Sequence, residues 1–147
     1  MQLTKQTDLG LRTLIYLALN PGRRVAAGEI ARVFGVSQHH LLKVIGRLAA
    51  AGFVETHRGK AGGLTLAVPP QTLRVGSAVR ELEGATPLIN CEKSSCPAQP
   101  ECRLKDVVDD ALQAFLAVLD DYTLEHLVRD RRDQLVNLLQ PGPTRKT

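Results

Sequence analysis

All three cysteines of this 147-residue chain fall in one stretch, Cys91-Glu-Lys-Ser-Ser-Cys96-Pro-Ala-Gln-Pro-Glu-Cys102. Three thiols interleaved with Pro97 and Pro100, with no apolar periodicity around them, do not describe a buried core, so their clustering points to chemistry. An odd number also argues against a closed disulfide framework. Thiolates are soft donors that select zinc, copper(I) or iron–sulfur clusters, and C-x4-C-x5-C lacks the close C-x2-C pair of most structural zinc sites. An iron–sulfur centre is the leading reading, and a Cys3His zinc site stays open beside it. In either case a fourth ligand must come from elsewhere in the sequence. The bland alternative is three reduced surface thiols with no shared role.

The rest of the composition limits the setting. Hydrophobic residues make up 44% of the chain and charged ones 23%, as in ordinary globular proteins, while 3% aromatics and no Trp imply an aliphatic core. No apolar run approaches the ~20 residues of a membrane span and no signal-peptide pattern opens the sequence. A cytoplasmic protein with reduced thiols is therefore expected. The net charge of +4 is unevenly spread: residues 1–74 carry ten Lys/Arg against three Asp/Glu, residues 75–147 nine against twelve. The basic half is suited to the phosphates of nucleic acid.

The elements that must position these groups follow from periodicity. Leu11, Leu14, Ile15, Ala18 and Leu19 recur at helical spacing from Thr4 to Leu19, and Asn20-Pro21-Gly22 ends the pattern. Asp8 lies near the start of that helix, where a carboxylate complements the helix dipole. A short helix over 27–34 breaks at Gly35, and a third, capped by Ser37, runs on Leu41, Val44, Ile45 and Leu48 to Gly52. Helix, glycine turn, helix is a helix-turn-helix, with Ser37, Gln38, His39, His40 and Lys43 on the part that would face a major groove. Strands over 53–57 and 64–68 flank the basic tip Arg58-Gly59-Lys60-Ala-Gly-Gly63 and form a hairpin wing able to hold phosphates. The predicted fold is thus mainly α with a small β-hairpin wing: a winged helix-turn-helix followed by a long dimerisation helix.

A fourth helix is predicted over 75–83, ahead of the cysteines. Beyond them Leu104, Val107, Val108, Ala111, Leu112, Phe115, Leu119 and Tyr122 form an apolar stripe of about five turns, suited to pairing with its copy. Thr123 is expected to cap one last helix reaching Leu139. The organisation predicted is a DNA-binding domain over 1–74, a connecting helix and cysteine loop over 75–103, dimerisation and C-terminal helices over 104–140, and a flexible tail over 141–147. No internal repeat, Walker loop, dinucleotide fingerprint or nucleophile elbow is present.

Leu3-Thr4 with Thr7-Asp8, Arg58 to Leu64, Val79 to Glu83, Asn90-Cys91 with Cys96 and Cys102-Arg-Leu-Lys105, and Asp121 to Leu124 together resemble the NsrR-type nitric-oxide-sensing repressors. These lie within a larger winged-helix family that includes the cluster-biogenesis regulator IscR. The resemblance implies that Cys91, Cys96 and Cys102 hold an iron–sulfur cluster, [4Fe–4S] favoured over [2Fe–2S]. It also implies that the long helix forms a homodimer, and that the wing and third helix bind operator DNA through Ser37, Gln38, His39, His40, Lys43, Arg58, Gly59 and Lys60. The IscR-like branch places a His ligand three residues after its last cysteine, where this chain has Lys105. NsrR-like proteins use a carboxylate from helix one of the opposite subunit, which implies Asp8.

The leading expectation is a homodimeric repressor, not an enzyme, that releases its operator when nitric oxide nitrosylates the cluster. A zinc-stabilised or thiol-redox interaction module that does not read DNA is the alternative. An enzyme or electron carrier ranks third, because the basic wing and recognition helix would then lack a purpose.

Overall fold

The computed structural model describes residues 2–84 and 87–140, so the predicted tail over 141–147 lies outside the described residues. The first helix, α1 (Lys5–Leu19), is the centre of the molecule. Leu9, Leu14, Tyr16, Leu17, Ala18 and Leu19 are all buried, together with Thr7 and Thr13. The single stripe read from the sequence is therefore incomplete. α1 is covered on several sides, with Leu11 and Ile15 only partly buried.

Around it stand α2 (Ala27–Phe34) and α3 (Gln38–Ala50), joined by a turn at Gly35 with φ 63°. That left-handed conformation suits glycine. Ile30, Leu41, Val44 and Leu48 are buried under the pair. Ser37 occupies the N-cap of α3, but its side chain makes no capping hydrogen bond, contrary to expectation. The Tyr16 hydroxyl donates to Glu29 Oε1 at 2.7 Å, and Arg23 reaches both Glu29 oxygens at 2.6 and 3.0 Å, fastening α2 to α1. Arg23's hydrogen bond holds the Glu29 carboxyl below its usual range, with burial opposing and Tyr16 assisting.

The wing consists of β1 (Val54–His57) and β2 (Gly63–Leu66), antiparallel, with Val54 opposite Leu66 and His57 opposite Gly63. Both strands are shorter than the sequence pattern, although Ala67 N–H still donates to the Phe53 carbonyl at 2.9 Å. The outer edge of β2 is secured by Val25, which exchanges main-chain hydrogen bonds with Leu64 at 2.8 and 2.9 Å. Backbones crowd here. A Cβ on Gly62 would run into the His57 carbonyl and come within 2.8 Å of the Gly59 carbonyl, so the tip closes only around glycine.

Helix α4 (Val75–Glu83) crosses α1 at Gly10, where a Cβ would collide with the fully buried Leu82. A single helical turn, α5 (Cys91–Ser94), and a 3₁₀ turn over Gln99–Glu101 interrupt the cysteine segment before α6 (Arg103–Asp120). α6 carries two apolar faces rather than one stripe. Leu112, Phe115, Leu116 and Leu119 pack on α4 through Val75 and Val79, whereas Leu104, Val107 and Val118, with Tyr122 just past the helix end, are at least half exposed. Arg80 grips Asp120 with both nitrogens, at 2.5 and 2.8 Å. Gly76 lets the end of α6 approach α4.

The predicted last helix is two: α7 (Leu124–Val128) and α8 (Arg132–Leu139). Thr123 does cap α7, in a reciprocal capping box with His126. The break at 129–131 has a packing reason. Leu124 and Val128 are buried in the core, and the bend lets Leu135, Val136 and Leu139 pack back onto it. Arg132 meanwhile donates to the Leu19 carbonyl at the end of α1 at 3.1 Å.

Two stability outcomes follow. Leu82→Ala should destabilise by about 2–5 kcal/mol in denaturant titrations, because it empties the α1–α4 contact. Leu138→Ala, at a side chain 75% exposed, should stay within about 0.5 kcal/mol of wild type. Equal effects would refute the placement of this core. Gly62→Ala should lower stability by about 1–3 kcal/mol, and amide exchange should locate the loosening at Leu64 and Val25. Unchanged protection there would show that the tip tolerates a side chain.

Candidate nucleic-acid interface and thiol loop

The start of α3 and the wing tip carry the residues assigned to DNA from the sequence, and both are exposed. Ser37, Gln38, His39, His40 and Lys43 are all exposed. Their neighbours differ. The Gln38 amide leans over Gly28 of α2, 3.6 Å from where a Cβ there would stand. His40 and Lys43 instead line a groove of about 470 Å³ with Lys5, Asp8 and Arg12 of α1, floored by Leu9, Val36 and Val44. The rings of His39 and His40 lie 6.1 Å apart, tilted by 53°.

At the wing, Arg58, Gly59 and Lys60 are exposed, and Gly59 has φ 94°. Neither cation is paired among the described residues, so both charges are available to phosphate. Arg24, which the sequence reading passed over, donates to the Ala61 carbonyl at 3.3 Å and adds a cation beside the tip. The signal for it was the Arg23-Arg24 pair ahead of Val25, uninformative until Val25 is known to join the wing.

In the thiol segment, Asn90 Oδ1 accepts from Lys93 N–H at 3.0 Å and starts α5 at Cys91. Ser95 follows in a left-handed conformation, φ 48°, and Cys102 stands at the N-cap of α6. Cys91, Cys96 and Cys102 are partly buried and unbridged. As a donor set they suit a soft metal or cluster. Yet no three His, Cys, Asp or Glu side chains among the described residues stand close enough together to hold a metal ion.

The two positions that distinguish the ligand schemes are both engaged. Lys105 Nζ lies 2.6 Å from Asp109 Oδ2. That hydrogen bond raises the Lys105 ammonium above its ordinary value, and the charges of Asp106 and Cys91 add to it. A protonated amine has no lone pair to give. Asp8 is half exposed and held by both ends of Arg12, at 2.9 Å each. Within one chain the structure groups Asp8 with His40 and Lys43, not with the cysteines.

Three helices meet where α1 begins and α4 ends. Thr4 caps α1 by accepting from Thr7 N–H at 3.2 Å, and its own N–H donates to Glu83 Oε1 at 2.7 Å. Burial pushes the Glu83 carboxyl up, but hydrogen bonds from Thr7 and Thr4 prevail and hold it low. Arg47 of α3 donates to Gln6 Oε1 at 3.0 Å and to the Glu81 carbonyl at 2.8 Å.

Comparison with known proteins accounts for this architecture. Residues 3–130 match the Rrf2 family, described as iron-dependent transcriptional regulators. CymR (YrzC), the global cysteine regulator of B. subtilis, is 30% identical over 86% of this chain and 95% of its own, with a TM-score of 0.64. The oxidised form of Staphylococcus aureus CymR is 31% identical over 88% and 97%, with a TM-score of 0.68. IscR of T. potens is 27% identical over 91% and 90%, with a TM-score of 0.70. With the match covering the reading helix, the wing and the thiol loop alike, this chain belongs to the Rrf2 family and is a winged-helix transcriptional regulator, not an enzyme.

Proposed function

We propose that this regulator is a homodimeric, cytoplasmic repressor whose three cysteines hold an iron–sulfur cluster, [4Fe–4S] in preference to [2Fe–2S], and which senses nitric oxide. The carrying observation is a set of three unbridged thiols on one short segment that ends at the N-cap of α6. When bound, the cluster supplies the iron with which nitric oxide reacts. The chain's part is to hold it: three thiolates from the loop, and a fourth donor that Lys105, ion-paired and protonated, does not provide. Asp8 of the other subunit is the proposed fourth ligand, and a hard oxygen among soft sulfurs is the weakest attachment. To serve, its carboxylate must share oxygens already bound to Arg12.

Pairing is assigned to the outer face of α6. Leu104, Val107, Ala111, Ala114, Val118 and Tyr122 follow one another by three or four residues and are exposed, the spacing of a helical seam. On this reading residues 1–74 read DNA, 75–103 sense and 104–140 dimerise, setting two α3 helices against successive half-sites. A second reading has a specific observation behind it. Among the described residues the thiols form no group that could hold a metal ion, and one similar protein is the oxidised form of Staphylococcus aureus CymR. That reading makes the loop a thiol-redox switch without metal.

Visible absorption, iron and sulfide content of protein purified without oxygen separate the two, followed by a nitric oxide titration with operator binding in parallel. A colourless protein that binds the operator with full affinity would sink the cluster reading. Replacing any one of Cys91, Cys96 or Cys102 with Ala should abolish stable cluster binding and cluster-dependent operator affinity while the helical circular dichroism persists. A single variant with full iron, sulfide and affinity would show that the thiols do not act as one unit.

DNA reading is tested against operator and scrambled duplex at several salt concentrations. Lys60→Ala should weaken both and lower the salt slope by about one. Gln38→Ala should lose about 1–3 kcal/mol on the operator alone. Equal losses on both duplexes for Gln38→Ala would assign the reading face to other residues.

A further inference from the structure

Arg47 lies in the last turn of the recognition helix, yet its hydrogen bonds cross to two other helices. One nitrogen donates to Gln6 Oε1 near the start of α1 at 3.0 Å, the other to the Glu81 carbonyl in the last turn of α4 at 2.8 Å. The carbonyls of a helix's last turn carry the negative end of its dipole, so a guanidinium there makes a charge-assisted contact. One side chain thus ties α3 to both α1 and α4.

The geometry on the loop side makes this tie consequential. Two residues past Glu81, Glu83 is bonded to Thr4, and Gly84 (φ 72°) ends α4. Leu88, on the way to the cysteines, lines a small cavity of about 100 Å³ with Leu3, Val79, Glu83 and Leu116. A displacement of the loop therefore bears on the end of α4 as well as on α6. The apolar grip of α4 on α1, Leu82 over Gly10, is buried and independent of Arg47. Arg47 itself is exposed, and exposed polar contacts add little to stability. Its contacts have more to do with where α3 sits than with whether the chain folds.

We propose that Arg47 is a positioning residue that couples the end of α4, and through it the thiol loop, to the placement of the recognition helix. This rests on the reading that the loop governs operator binding.

The test uses full-length wild type, Arg47→Ala and Arg47→Lys, each also carrying Cys91→Ala, all prepared without oxygen. Affinity for operator and scrambled duplex, thermal midpoint, and amide exchange in α3 and the end of α4 are measured. Wild type should show a loop-dependent operator affinity, a ratio between cysteine-intact and Cys91→Ala protein in the usual coupling range of about 5- to 150-fold. In Arg47→Ala that ratio should collapse towards one. Exchange at the end of α4 should rise, while the midpoint and scrambled-DNA affinity stay near wild type. Arg47→Lys, able to reach one acceptor but not fork to both, should recover part of the ratio. An undiminished ratio in Arg47→Ala overturns the coupling role and leaves the loop reading standing. Equal loss on both duplexes with a salt slope lower by about one makes Arg47 a phosphate contact and overturns the proposal. A ratio of one in wild type removes the loop reading itself, and the proposal with it, before any Arg47 variant is considered.

Discussion

The close crossing of α1 and α4 is the contact on which the remaining structure depends. Gly10 lets Leu82 approach the helix backbone, and the Thr4–Thr7–Glu83 hydrogen bonds fix the same two helices at their ends. Interiors packed to crystal-like density transmit displacement instead of absorbing it. With α4 fixed on one side to α1 and on the other to α6 through Arg80 and Asp120, the thiol segment is strung between two well-anchored helices. Its neighbours are rigid while its own turns are short.

α6 shows how one amphipathic sequence serves two surfaces. Its inward residues Leu112, Phe115, Leu116 and Leu119 dock on α4. Its outward residues Leu104, Val107 and Val118 remain apolar and exposed, and Tyr122 just beyond its end continues the face. A helix with so wide an apolar arc satisfies its inner half within the chain and leaves the outer half for another surface. Because Cys102 begins this helix, the proposed sensing and pairing elements share one rigid rod. A change at its start is felt along its length.

Charge is distributed to match. The wing cations Arg58 and Lys60 stand unpaired among the described residues, whereas Arg12, Arg80 and Lys105 are each held by a carboxylate. Exposed ion pairs add little stability, but they decide which cations remain free for a polyanion. The groove between α1 and α3 mixes both kinds, with Asp8 already bound by Arg12 beside His40 and Lys43. A ligand role for Asp8 and a DNA role for His40 would therefore be electrostatically linked.

Much of this molecule is legible in the sequence where local rules suffice. Gly35 and Gly52 end helices, Thr123 caps one, and period-two runs around a glycine-rich tip make a hairpin. The three cysteines announce themselves by spacing, and the opposite charges of the two halves by count. The tertiary structure alone decided that α1 is nearly encircled, so that Leu9, Tyr16 and Leu17 are core although they fall off the apparent stripe. It likewise decided that α6 has two apolar faces and that the last helix bends at 129–131 to bring Leu135 and Leu139 back to the core. Arg24 and Arg47 read as surface charge until the partners 37 and 34 residues away are seen. Periodicity and capping are properties of neighbours in sequence, whereas a crossing, a bend or a long-range hydrogen bond is settled by which distant residues arrive.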